Sequence, residues 1–224
     1  LTDGYVTYSR ATLEADVAAF GLRGWRVDPG MKLERFVPRE APHEGFVVGV
    51  VARMQRHRRF EVLLQGVRLA RVPDLRVLVV GRGTHMDEVA VEPARKLGLT
   101  NVTFTGYLGP QYLDVLATFD AILFLVPGSD GTCRAIREAM AMGKAVIGAR
   151  RGMIPEIVDD GATGLVIDDT PENIARAIEA LAGDRSRTLE MGRRGREKAL
   201  ELYDVRRQAA EMRRIYEKVL AGLP

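Results

Sequence analysis

The 224-residue chain holds a single cysteine, Cys133, which excludes an internal disulfide and a cysteine-built zinc centre. Its three histidines, His43, His57 and His85, are scattered without metal-ligand spacing. Aromatic residues make up 6% of the chain, and the arginines that follow its apolar runs have no interleaved stacking residues, which argues against a nucleic-acid-binding module. No run approaches the roughly 20 apolar residues that cross a bilayer. The start at Leu1, with Asp3 close behind, lacks the basic residues and apolar stretch of a signal peptide, so the sequence-level expectation is a soluble cytoplasmic protein. Lys+Arg of 33 against Asp+Glu of 30 leaves a formal charge of +3, too small an excess to imply a polyanionic partner by itself. The opening Leu-Thr-Asp-Gly-Tyr is without a start methionine and reads as entry into the middle of a structure, so a fragment of a longer protein is expected.

What is present is alternation. Short apolar, β-rich runs at 46–52, 75–80, 102–105, 121–126, 145–147 and 164–167 read as strands. Between them lie helical patterns: Phe60, Leu63, Leu64, Val67 and Leu69 recur at helical period, and further helices are expected near 85–97, 110–118, 132–142 and from Pro155. Continuous apolar strands separated by helices predict an α/β fold, a doubly wound Rossmann-like parallel sheet covered on both faces. From about 171 to 221 the pattern is helical only, and in the last helix Met212, Ile215, Tyr216 and Val219 form one stripe expected to pack. Residues 1–40, with a strand-like segment at 5–8 and a helix near 10–20, read as a connecting segment. The expected division is therefore 1–40 as connector and remnant of a preceding domain, and 41–224 as the Rossmann-like domain with its terminal helices.

Open parallel sheets bind ligands beyond the carboxyl ends of their strands, so the loops after each strand carry the functional signal. They read Arg53-Met54-Gln55-Arg56-His57-Arg58-Arg59, Gly81-Arg82-Gly83, Gly106-Tyr107-Leu108, Pro127-Gly128-Ser129-Asp130-Gly131-Thr132 and Gly148-Ala149-Arg150-Arg151-Gly152. Glycines admit close backbone approach, helix amino termini carry partial positive charge, and arginine forks match phosphate oxygens. Together they describe a diphosphate pocket. A dinucleotide fingerprint is not met, because position 86 is Met86 and no acid lies near Asn101. Each element also has a plainer reading: Asp130 as a helix cap, Arg134 with Glu138 as a surface i,i+4 pair, and Cys133 as a small residue in a tight turn.

The segment from Asp130 to Ile147, in which Asp130 and Glu138 are separated by seven residues before Ala139-Met140-Ala141-Met142-Gly143, closely resembles the signature of the group 1 (family 4) glycosyltransferases. Arg53 and Arg58, Gly106, Gly152 to Val158 and Asp160 to Val166 fall at family-like spacing, and Asp28 to Pro38 is similar to the family's interdomain connector. The resemblance covers about 46–220. It implies the carboxy-terminal, donor-binding half of a GT-B fold, acting on a UDP- or GDP-sugar with retention of configuration and without a metal or other cofactor.

By that resemblance Arg53 and Arg58 meet the donor diphosphate, Glu138 holds the ribose hydroxyls, and these three are the implied catalytic residues. Asp130 would contact the transferred sugar, Tyr107 and Leu108 would cradle the base beside Gly81, and the amides of Gly131, Thr132 and Cys133 would share the phosphates. The acceptor site would belong to an amino-terminal domain that residues 1–45 cannot form, so the chain alone is expected to bind donor without turnover. A membrane surface is possible for the full-length enzyme, through contacts on that missing domain. The sequence departs from the family pattern at Asp130 (more often Glu), Cys133 (usually Gly), Arg58-Arg59 (commonly Lys-Gly), Ala145 (usually Pro) and Lys32 (normally Asp). A non-catalytic nucleotide-binding module and a GT-B-like sugar-nucleotide epimerase or hydrolase remain as alternative readings.

Overall fold

The computed structural model describes residues 4–21, 23–39, 41–126 and 132–222. Six parallel strands form the main sheet: β3 (Phe46–Val51), β4 (Leu75–Val80), β5 (Val102–Gly106), β6 (Ala121–Phe124), β7 (Ala145–Ala149) and β8 (Gly164–Ile167), in the spatial order β5-β4-β3-β6-β7-β8. The chain builds outward from β3 to β5, then crosses back to lay β6 against the other side of β3. This reversal at β3/β6 is the topological switch point of a doubly wound sheet.

Strand alternation sorts the core into two layers. On one face Val47, Ile122, Phe124 and Val146 pack with α5 (Arg134–Ala141), α6 (Ile154–Ile157) and the end of α8 (Arg185–Leu202). On the other, Phe46, Val48, Val50, Val77, Val79, Leu123 and Ile147 pack with α2 (Phe60–Leu69) and α7 (Pro171–Gly183). Both faces are covered, which is why β3, β6 and β7 are apolar throughout, whereas β4 carries the exposed Arg76 near its start and β5 alternates with Thr103 and Thr105.

Several boundaries differ from the sequence expectation. The run at 121–126 leaves the sheet after Phe124. The helix expected near 85–97 is a π-helical segment, Asp87–Val91, continued by α3 (Glu92–Lys96). The helix expected near 110–118 is α4 (Tyr112–Ala117), and α5 starts only at Arg134. In α9 (Val205–Leu220) Ile215 is buried, but Tyr216 is 60% exposed. The stripe that packs is thus narrower than expected and leaves Tyr216 in solvent.

Residues 5–26 form a small parallel unit, β1 (Tyr5–Thr7), α1 (Arg10–Phe20) and β2 (Gly24–Arg26). The second of these strands had no clear signal in the sequence. Glu156, in α6, docks this unit on the main domain: its carboxylate accepts hydrogen bonds from Ser9 Oγ (2.7 Å) and from the amides of Arg10 (2.7 Å) and Ala11 (3.3 Å), at the start of α1. Burial pushes the Glu156 pKa upward, but these hydrogen bonds and the nearby Arg26 charge outweigh it and leave the pKa below the ordinary glutamate value. A depressed folded-state pKa stabilises the docked unit above roughly pH 4.3, and that contribution is lost as pH falls through the lowered value. Fluorescence of Trp25, the only tryptophan, is expected to report undocking at a pH below that of a free glutamate. In Glu156→Gln that low-pH step disappears.

Candidate functional site

A cleft of about 630 Å³ opens at the carboxyl ends of β3, β4 and β5, beside the switch point, within the ~300–1,000 Å³ range of small-molecule sites. Its walls come from Arg53 after β3, Gly81 and Arg82 after β4, Tyr107 and Leu108 after β5, Tyr112 on α4, and Arg134 and Glu138 on α5, with Arg35 reaching in from the connector. The loops after β3 and β4 lie directly on each other. A Cβ added to Gly81 would stand 2.1 Å from the Ala52 carbonyl oxygen, and one on Gly83 would stand 2.1 Å from that of Met54.

Glu138 is the single carboxylate among the described lining residues, against four guanidinium groups. Its side chain is 9% exposed, Arg134 Nε donates to Oε1 at 2.7 Å, and Tyr112 Oη donates to Oε2 at 2.7 Å. The i,i+4 pair read from sequence therefore exists, but its acid is buried and its second partner comes from α4. Burial, and then the Glu138 charge, push the Tyr112 phenol far above its ordinary pKa, so it stays a donor at every working pH. Each oxygen of the anchored carboxylate keeps a lone pair for an incoming hydroxyl. Arg53 makes no hydrogen bond or ion pair with any described residue, and Arg82 lies 5.2 Å from the centroid of the exposed Tyr107 ring at the cleft mouth.

The structure brings Arg53, Gly81, Tyr107, Leu108 and Glu138 together. Arg58 is not part of this lining: its Nη1 donates to the Val126 carbonyl at 2.8 Å, at the carboxyl end of β6. Asp130 and Gly131 lie outside the described residues. Thr132 lines an adjoining cavity of about 380 Å³ that shares Arg35 and Arg134 with the main cleft. Cys133 is buried in the core with φ of 48°, the left-handed region that favours glycine, and Arg59 has φ of 56°. Both stand where the resembled family more often has glycine, and the backbone supplies the reason. Tyr112 was not anticipated as a site residue, and no local pattern links it to an acid 26 positions away. Arg35 and Arg134 were also missed as lining groups.

A six-stranded, doubly wound sheet with a basic cleft at its switch point defines a Rossmann-like domain suited to an anionic ligand. Residues 32–198 match the model of the glycosyl transferases group 1 family, and the chain belongs to that family. It is 31% identical over 194 residues to a D-inositol 3-phosphate glycosyltransferase from Corynebacterium kroppenstedtii, a match covering 80% of this chain and 41% of that protein. It is 30% identical over 228 residues to a GDP-mannose-dependent alpha-(1-6)-phosphatidylinositol monomannoside mannosyltransferase from Mycolicibacterium smegmatis, covering 91% of this chain and 59% of that one. The crystal structure of HepE from Anabaena in complex with UDP superposes with a TM-score of 0.86 at 20% identity, over 97% of this chain and 64% of that chain. The fold is thus one half of a GT-B architecture with additional C-terminal helices, and the chain spans about half the length of the curated relatives it matches. Among the described residues no helix is long and apolar enough to cross a membrane.

Proposed function

We propose that this chain is the donor-binding half of a glycosyltransferase that moves a sugar from a nucleoside-diphosphate sugar to an acceptor hydroxyl, with retention of anomeric configuration. The observation that carries the proposal is the cleft: one buried, doubly anchored carboxylate, Glu138, in a lining that also contains Arg53 and Arg82. A carboxylate of this kind accepts from the two hydroxyls of a ribose, and the guanidinium groups match the diphosphate beside it. Tyr107 and Leu108 offer an apolar and aromatic surface for the base. The names of the similar proteins, which specify GDP-mannose for one and UDP for another, support a nucleotide-sugar donor.

As the bond between the anomeric carbon and the diphosphate oxygen breaks, negative charge gathers on the diphosphate. Positioned guanidinium groups stabilise that charge without a metal ion. The acceptor hydroxyl attacks on the same face of the sugar, and its proton passes to the departing phosphate oxygen. The acceptor site belongs to a partner GT-B domain, so the isolated chain binds donor without turnover. In calorimetric titrations with UDP, GDP, ADP and their sugars, one nucleoside diphosphate is expected to bind with a Kd of about 10 μM to 1 mM. Arg53→Ala should weaken it roughly tenfold while leaving the melting temperature unchanged, because Arg53 is exposed. A folded chain that binds no nucleotide, or sugar transfer by the isolated chain, would contradict the proposal.

A further inference from the structure

The cavity adjoining the donor cleft has a composition that the donor does not explain. Lys32, Arg35, Arg134 and Arg137 line it, with no carboxylate among the described lining residues. Arg137 is the unusual member. It is 3% exposed, and no carboxylate of a described residue lies within ion-pair distance of it. Its Nε donates to the Thr132 carbonyl at 3.0 Å, a second nitrogen, Nη1, donates to the Pro29 carbonyl, and its guanidinium carbon sits 5.6 Å from the centroid of the Tyr203 ring. Nη2 makes no hydrogen bond with a described residue. Burial lowers the Arg137 pKa, yet a guanidinium stays charged even so.

A buried cation held, among the described residues, by two carbonyls and a ring face with no ion-paired carboxylate is electrostatically incomplete. Its open edge faces a cavity lined by three more cations, and Gln208, whose Oε1 accepts from the Gly30 amide at 3.0 Å, keeps its NH₂ as a further donor.

We propose that this cavity is an oxyanion site, which takes a phosphate or carboxylate group carried by a sugar substrate, with Arg137 as its buried anchor and Lys32 at its rim. The proposal rests on the donor reading of the neighbouring cleft, because Arg35 and Arg134 line both and the two ligand groups would lie side by side. The anion is either a substituent of the donor sugar or a group on the acceptor; fork geometry and charge are the same for both.

The test follows arginine Nε–Hε resonances of the ¹⁵N-labelled chain during titration with inorganic phosphate. A saturable shift at Arg137 is expected, with a Kd on the order of 1–10 mM. Lys32→Asp, an exposed change, should weaken it about tenfold and leave nucleoside-diphosphate binding within about twofold. Arg137→Met should abolish phosphate binding, read from the Nε–Hε resonances of Arg35 and Arg134, which line the same cavity. If that variant does not fold, Lys32→Asp carries the test alone.

Two further arms separate the sources. Tighter binding of a nucleotide uronate than of its neutral counterpart, lost in Lys32→Asp, assigns the anion to the donor sugar. A hexose 6-phosphate that shifts Arg137 while nucleoside diphosphate saturates the cleft assigns it to the acceptor. The proposal is overturned if Arg137 shows no saturable shift, or if the shift vanishes in Arg53→Ala and persists in Lys32→Asp, which would put phosphate in the donor cleft. Phosphate binding with neither arm positive overturns the substrate assignment. Absence of nucleotide binding in the cleft would instead overturn the donor reading, whatever the phosphate result.

Discussion

Glu138→Ala is expected to weaken binding of the nucleoside diphosphate by at least about 100-fold and to lower stability by about 1–3 kcal/mol. The binding loss follows from removing charged acceptors, each worth ~1.5–3 kcal/mol to a donor hydroxyl. The stability loss has a different origin. Tyr112 Oη loses its 2.7 Å partner in a buried setting, whereas Arg134, with 65% of its side chain exposed, regains water. Glu138→Gln separates the two effects, because its carbonyl oxygen can still accept from Tyr112 while its amide NH₂ cannot accept from Arg134 or from a ribose. Calorimetry and thermal unfolding of both variants check this. If Glu138→Ala keeps nucleotide affinity within about twofold, the ribose assignment is wrong.

The largest stability effect is expected at Gly81→Ala, about 3–5 kcal/mol. Gly81 has φ of 134° and an added Cβ would stand 2.1 Å from the Ala52 oxygen. Neither backbone can yield cheaply: the Gly81 amide donates to the Gly106 carbonyl at 2.9 Å, and the Ala52 amide donates to the Val80 carbonyl at 3.1 Å. Any movement that relieves the contact therefore unzips the ends of β3, β4 and β5, which form the cleft walls, so ligand binding falls with stability. Gly109 on the same rim has open space around its Cβ position, and Gly109→Ala should change stability by less than about 0.5 kcal/mol. Urea unfolding of the two variants provides the comparison; equal midpoints would show that the packed loops are not rigid.

The strands and most helices were legible in the sequence because burial on both faces of a parallel sheet imposes continuous apolar runs, and these were read within a few residues. The errors cluster where local pattern is silent. Leu125 and Val126 are as apolar as the strand before them, yet β6 has ended: its last registered pair is Phe124 with Gly148, although β7 runs on to Ala149. Tyr216 shares a stripe with Ile215 but finds no neighbour to bury it.

The structure also places the described candidate site residues. Arg53, Gly81, Tyr107, Leu108 and Glu138 were named from loops that follow successive strands, and parallel topology gathers such loops at one edge. Arg58 came from the same loop as Arg53, but its guanidinium turns to the Val126 carbonyl. Spacing along a loop does not fix which way each side chain points.

The sequence by itself determined the fold class, the family and the edge of the sheet where ligands gather, because these depend on periodicity, on strand order and on a motif contiguous in the chain. Only the tertiary structure decided that Glu138 is buried between Arg134 and Tyr112, that Arg53 lines the cleft while Arg58 reaches the Val126 carbonyl, and that Arg137 lies unpaired by any described carboxylate beside a second cavity. Each of these depends on burial and on partners brought from distant positions, such as Pro29 and Tyr203 around Arg137. Burial and contact at such distances are properties of packing, and nothing in local sequence encodes them.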